Sequence, residues 1–338
     1  MPRTKGWKRA GSARRFRYED EQGRPVTDEA QLERIASLAI PPAWKDVWIS
    51  PRPNAKLQAT GIDAAGRKQY LYHPRFRAQQ EQAKFEKLIR FGERLPELRA
   101  VMSEHLAGEQ FSYEWTSALA VRLINIGWFR VGSDRYAKKH RTFGITTLKK
   151  SHVTIRGSRV AFKYRGKQRA WVHAALVDDE IAAAMRALVR LEGGPRVFRY
   201  RSEDDVFNLT SRKLNDYIQD HMGADFTAKD FRTWGGTLVA AICFAERGLC
   251  ESQTEAKRAI AAVMRQVGER LGNTASVARS SYVSPAVVDH YLDGRTIDDF
   301  RPRHLRVVGA RDAELDPEER ALLSLLRSQR IRQARTAA

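Results

Sequence analysis

Five side chains between positions 130 and 282 together carry what phosphoryl transfer needs. Tyr282 stands in GNTASVARSSYVSP, residues 272–285, among small and polar residues with weak apolar periodicity, so burial does not account for it. Its hydroxyl is a candidate nucleophile. Arg130, in FRVG, and Arg232, in TAKDFRTWGG, each offer a rigid, permanently charged fork of donors for the non-bridging oxygens of a phosphate. Arg232 follows Thr227, a candidate helix N-cap, where the helix dipole also favours an anion. Lys167, in YRGKQ at the expected tip of a hairpin, can protonate a departing oxygen. Asn273 can donate a neutral hydrogen bond. Together they offer a candidate for each task in breaking a phosphodiester without a metal. Each member also has a plainer role: an ion-paired arginine, a solvated turn lysine, an asparagine that stops a helix after Gly272, a tyrosine packed on the next helix.

The elements that must position these groups form an α+β protein. Residues 13–79 read as a small mixed unit: a strand and turn in RRFRYEDEQGRP, a helix in DEAQLERIASLA, a break at IPPAW, then two strands in KLQATGIDAAGRKQYLYHP. Lys68, Tyr70 and Tyr72 share one face of the second strand by the two-residue period, with Arg67 beside them. Residues 79–108 read as a charged helical connector. TSALAVRLINIGWF, 116–129, is apolar on most sides and reads as a buried helix. A β meander is expected over HVTIR, RVAFKY and KQRAWV. Helices are expected over 178–191, 203–221, 228–246, 253–271 and 285–292. The paired glycines Gly235 and Gly236 each cost about 1 kcal/mol in a helix, which implies close backbone packing.

Charge points to the partner. The chain of 338 residues carries a net +20. Residues 122–170 hold 14 Lys+Arg against the single acid Asp134, and residues 1–90 hold 19 against 10, so the excess lies in two regions. That concentration fits a polyanion held by two parts of the chain, although a solvated basic face is the simpler alternative. The two cysteines and eight scattered histidines form no CxxC or HxxxH pair, so no metal site is expected. MPRTKGWKRA lacks an apolar core after its basic residues, and no run approaches a membrane span. Neither a secretory signal nor a membrane partner is expected, and the expected location is the cytoplasm.

In this order the segments resemble the small type IB DNA topoisomerases of bacteria and poxviruses. RVG with FGITTLKKSHV is similar to the region of the family's first catalytic arginine, YRGKQ to the lysine loop, KDFRTWGGT to the second arginine motif, and LGNTASVARSSYVSP to the nucleophile segment. GRKQYLYHP resembles the DNA-contacting strand. The resemblance implies a β-rich DNA-binding domain over 1–82 and a mainly helical catalytic domain over 83–338 with a three-stranded meander, the two forming a C-shaped clamp. It implies Tyr282 as nucleophile, Lys167 as general acid, and Arg130, Arg232 and Asn273 on the phosphate oxygens. It further implies DNA contacts at Arg67, Lys68, Gln69, Tyr70, Tyr72, Tyr136, Lys149 and Lys150. The implied partner is double-stranded DNA, bound by a monomer without cofactor, metal or obligate protein partner. Many family members have histidine where this chain has Asn273, and asparagine cannot titrate. Two alternatives stay open: a tyrosine recombinase, which commonly has histidine where this chain has Lys229, and a non-catalytic basic nucleic-acid-binding protein.

Overall fold

The computed structural model describes residues 5–12, 15–301 and 314–337, so the outermost ends of both expected domains lie outside the described residues. The chain divides into two compact units, Met1–Phe85 and Glu86–Ala338. In the first, β1 (Trp7–Ser12), β2 (Arg15–Glu19), β3 (Lys45–Ile49), β4 (Leu57–Ile62) and β5 (Lys68–Tyr72) form one sheet in the order β2-β1-β3-β4-β5, with each neighbouring pair antiparallel. Helix α1 (Glu29–Ser37), capped by Asp28, supplies Ile35 to a core with Val47, Ile49 and Ala59. β1 and β3 are absent from the sequence reading. WKRAGS has no β-branched residue, and pairing on both edges overrides its weak propensity. The β4–β5 turn spans only residues 63–67. Gly61 lies within β4, and Asp63 closes the turn by accepting the N–H groups of Ala65 and Arg67, both at 2.9 Å.

The second unit is mainly helical. Helix α2 (Pro74–Ala107) is no free-standing connector, because Leu88, Phe91, Leu95 and Leu98 are buried in this unit's core. Helix α3 (Tyr113–Gly127) is buried as expected and ends with Trp128 in the left-handed region, φ 50°. After α4 (Asp134–His140) come the meander strands β6 (Val153–Arg156), β7 (Arg159–Arg165) and β8 (Trp171–Val177), paired in sequence order. Helix α5 (Asp179–Arg190) packs against this sheet.

The helix expected over 203–221 is shorter. A hairpin of β9 (Arg199–Ser202) and β10 (Asp205–Asn208) occupies its start, and α6 (Ser211–Met222) begins only where Thr210 accepts the Lys213 N–H. Tyr200 and Phe207 sit opposite each other and stack at 5.8 Å. This cross-strand pair wins over helical propensity. Then follow α7 (Ala228–Arg247), α8 (Gln253–Leu271), the short α9 (Ala275–Ser281), α10 (Pro285–Leu292) and α11 (Pro317–Ala337). Among the described residues no helix is long and apolar enough to cross a membrane.

Candidate active site

The site is built on the end of a helix. Past Leu271, the Gly272 and Asn273 N–H groups turn back to the carbonyls of Glu269 (3.1 Å) and Gly268 (2.7 Å). The carbonyls of Leu271 and Gly272 are left open at the negative pole of α8, and two guanidiniums take them. Arg232 Nη2 donates to the Leu271 carbonyl at 2.7 Å. Arg130 Nη2 donates to the Gly272 carbonyl at 3.0 Å and to Asn273 Oδ1 at 2.6 Å. Arg232 Nη1 donates to the carbonyl of Trp128.

Local sequence explains this convergence. Thr227 and Asp230 form a capping box that starts α7 and sets Arg232 in its second turn. Gly235 allows Trp128 to lie on α7, since a Cβ there would fall 2.1 Å from the indole Nε1. The Trp128 carbonyl thereby reaches Arg232. Arg130 is fixed by backbone pairing of its strand-like segment with the FGITT loop: Ile145 N–H donates to the Arg130 carbonyl at 2.9 Å and Thr146 N–H to that of Val131 at 2.8 Å.

Tyr282 ends α9, its N–H bonded to the Ala278 carbonyl at 3.0 Å, and it is half-buried against α7. The Thr237 hydroxyl accepts the Ser284 N–H at 3.1 Å, and its one hydrogen is shared between the Thr233 carbonyl at 2.8 Å and the Tyr282 carbonyl at 3.1 Å, so it holds the backbone just past the tyrosine. Gly236 makes room for this contact. A Cβ there would lie 2.9 Å from the Tyr282 carbonyl oxygen and 3.0 Å from its Cβ. Lys229, Arg232 and Gly236 share one face of α7 by the three- and four-residue spacing, and Thr237 follows Gly236.

The electrostatics favour an anion. The Arg232 guanidinium carbon lies 5.0 Å from the Tyr282 ring centroid. Burial alone favours the neutral phenol. The charge and donor N–H groups of Arg232, followed by the charges of Arg130 and Lys229, outweigh it and hold the Tyr282 pKa below the ordinary tyrosine value. Burial, with repulsion from Arg232, lowers the pKa of Arg130. Among the described residues neither arginine has a carboxylate partner within 4.0 Å. Arg232 is only 5% exposed, and its buried Nε has no acceptor among the described residues. Two unpaired cations and an orphaned donor side by side are costly unless an anion completes them.

The structure thus brings together Arg130, Arg232, Asn273 and Tyr282. Lys167 stands apart on the exposed tip between β7 and β8, and among the described residues no hydrogen bond, ion pair or ring contact joins it to the other four. The link is indirect. Tyr164, three residues earlier on β7, is buried where the charges of Arg130 and Arg232 reach it, although burial dominates and pushes its pKa up. In the N-terminal unit, Lys68, Tyr70 and Tyr72 occupy one exposed face of β5, the two rings stacked at 6.2 Å. Gln69 lies on the opposite face and, like Arg67, bonds to Asp63 Oδ2, each at 2.8 Å. Tyr136, on α4, is 50% exposed. Lys149 is exposed, whereas the Lys150 ammonium is engaged with the Leu191 carbonyl at 2.7 Å. Among the described residues no group of His, Cys, Asp and Glu is arranged to hold a metal ion. Sequence reasoning did not assign Lys229 or Thr237 to the site. For Lys229 the three-residue spacing from Arg232 was the available signal; Thr237, five residues after Arg232, had none.

Known proteins resemble this chain over most of its length. A family model described as the catalytic core of eukaryotic DNA topoisomerase I matches residues 73–294, and one described as the N-terminal domain of bacterial DNA topoisomerase IB matches residues 15–63. DNA topoisomerase 1B of Acanthamoeba polyphaga mimivirus is 31% identical over 268 residues, 77% of this chain and 80% of the relative. DNA topoisomerase 1B of Vaccinia virus (strain Copenhagen) is 22% identical over 283 residues, 81% of this chain and 86% of the relative.

Proposed function

The chain belongs to the type IB DNA topoisomerases, and from that premise we propose that it relaxes supercoiled double-stranded DNA through a covalent bond to Tyr282. The Tyr282 oxygen attacks a backbone phosphorus in line. The bond from phosphorus to the 5′ oxygen breaks, leaving a 3′-phosphotyrosyl link and a free 5′-hydroxyl. Neighbouring cations ease loss of the phenol proton to solvent, and Lys167 supplies a proton to the departing 5′ oxygen. Arg130, Arg232 and Asn273 hold the non-bridging oxygens as charge builds on them. The reverse attack by the 5′-hydroxyl reseals the strand. One phosphoester is exchanged for another, so the cycle needs no ATP, and in this reading it has no obligatory metal. All five groups lie in one chain, so the reading calls on no protein partner.

The observation that carries this reading is the convergence of two unpaired arginines on the end of α8 beside a tyrosine of lowered pKa. In this reading the N-terminal unit adds affinity through phosphate contacts, with the Lys68, Tyr70 and Tyr72 face of β5 contributing. The test is supercoiled plasmid incubated with the protein in EDTA without ATP. Wild type relaxes the plasmid in graded steps. Tyr282→Phe binds DNA but neither relaxes it nor forms a covalent adduct. An adduct in that variant removes Tyr282 from the role, and site-dependent exchange between two DNAs would identify a recombinase instead.

A further inference from the structure

The β6–β7–β8 sheet buries one face and exposes the other. Along β7 the side chains of Val160, Phe162 and Tyr164 are buried while Arg159, Lys163 and Arg165 are exposed. On β8, Trp171 and His173 are exposed beside them, Trp171 opposite Arg165 and His173 opposite Lys163. Arg156 on β6 lies directly opposite Arg159. Among the described residues none of these cations has a carboxylate partner. Like charges placed opposite each other destabilise a strand pair, and Trp171 leaves 51% of its surface in solvent. Neither feature helps the sheet. Both suit a polyanion that carries planar groups.

The tryptophan is held in one orientation. The Arg165 guanidinium carbon lies 3.9 Å from the Trp171 ring centroid, and the His173 ring meets it edge-on at 5.8 Å. Arg165 is fixed in turn by its bond to the Arg169 carbonyl at 2.9 Å. The Gly166 N–H closes the loop on the Ala170 carbonyl at 2.8 Å, so Trp171 stands at the base of the loop whose tip carries Lys167. Inside a duplex the base faces are stacked on one another and closed to a tryptophan. The strand that presents an open base face next to Lys167 is the one whose 5′ oxygen has just been released.

We propose that the Arg165–Trp171 pair is a stacking platform for the terminal base of the 5′-hydroxyl strand, with Lys163, Arg159 and Arg156 taking the phosphates that follow. This rests on the assignment of Tyr282 and Lys167 above. Stacking on an aromatic ring tolerates any base, so the platform sets no sequence requirement on the strand it holds. The platform keeps the free end beside the phosphotyrosine and so favours religation over loss of the strand.

The test uses the covalent adduct on a suicide substrate, followed by acceptor strands whose first base is 2-aminopurine. Trp171→Ala should cleave within about twofold of wild type. Its half-saturating acceptor concentration for religation should rise about tenfold, the effect of one lost stack, at an unchanged maximal rate. Acceptor fluorescence should be quenched on the wild-type adduct and not on the variant, and Trp171→Phe should restore most of both effects. Wild-type acceptor dependence in Trp171→Ala would overturn the proposal, as would an equal loss of cleavage, which marks a general duplex contact. A gapped duplex with a 5′-terminal 2-aminopurine, bound to Tyr282→Phe, separates the platform from the chemistry. Quenching there should persist without any adduct and vanish in Tyr282→Phe/Trp171→Ala; quenching that survives Trp171→Ala rejects the platform whatever Tyr282 does.

Discussion

Replacing Gly236 by alanine isolates the placement of Tyr282 from its chemistry. Within a helix the change should add about 1 kcal/mol of stability, because alanine restricts the unfolded chain and glycine does not. At this position the new Cβ would lie 2.9 Å from the Tyr282 carbonyl oxygen and 3.0 Å from both the Tyr282 Cβ and Leu271 Cδ1. Ordinary contact begins near 3.4 Å, so the nucleophile segment must retreat by roughly half an ångström. Overpacking of this kind costs about 1–3 kcal/mol, which offsets the helical gain and leaves net stability within about 2 kcal/mol of wild type. Catalysis has no such offset. A misplacement near 1 Å can cost about 10²-fold, so half of it should slow cleavage by about tenfold or more. The Thr237 clamp moves with the carbonyl it holds and passes the shift to Ser284. The assay is single-turnover cleavage of a suicide substrate at saturating protein, with DNA affinity and thermal unfolding measured beside it. Slowed cleavage with near-normal affinity and melting is the expected pattern. Wild-type cleavage in a protein of raised melting temperature would refute the argument that Gly236 exists to seat Tyr282.

Arg130→Ala and Arg232→Ala should each lose cleavage by about 10²–10³-fold, and lysine should rescue poorly because it lacks the bidentate fork; near-normal cleavage by either lysine variant in the same assay would mean that charge alone suffices. The pH dependence has a definite sign. Because the folded pKa of Tyr282 lies below 10, the cleavage rate should rise with pH through that value and level off before an ordinary tyrosine would titrate, and Arg232→Ala should move the rise to higher pH. A pH–rate profile unmoved by Arg232→Ala would dissociate the two groups. Asn273→Ala should slow cleavage less than loss of either arginine, since a neutral hydrogen bond contributes about 0.5–1.5 kcal/mol. Asn273→His should stay active, gaining slightly at mildly acidic pH as the ring becomes cationic; a histidine variant as inactive as Arg130→Ala would remove position 273 from the site.

The sequence by itself determined the chemistry on offer and most of the scaffold. Tyr282 was conspicuous because it stands among mostly small and polar residues with weak apolar periodicity. The meander and the α3, α7, α8 and α10 helices were legible because their apolar residues repeat at periods set by the backbone. The paired glycines announced close packing before any neighbour was known. What the sequence left open depends on distant partners. β1 is a strand because β2 and β3 flank it, and the start of the expected 203–221 helix is a hairpin because Tyr200 meets Phe207. No local pattern states that Trp128 fits over Gly235, that the Thr237 hydroxyl holds the backbone just past Tyr282, or that the Leu271 and Gly272 carbonyls catch two arginines. Those are contacts between segments up to 142 positions apart. Side-chain periodicity reports which face of an element is buried and says nothing about what covers it. The lowered pKa of Tyr282 is likewise a tertiary property, because it comes from the charges of Arg232, Arg130 and Lys229, which only folding brings to the phenol.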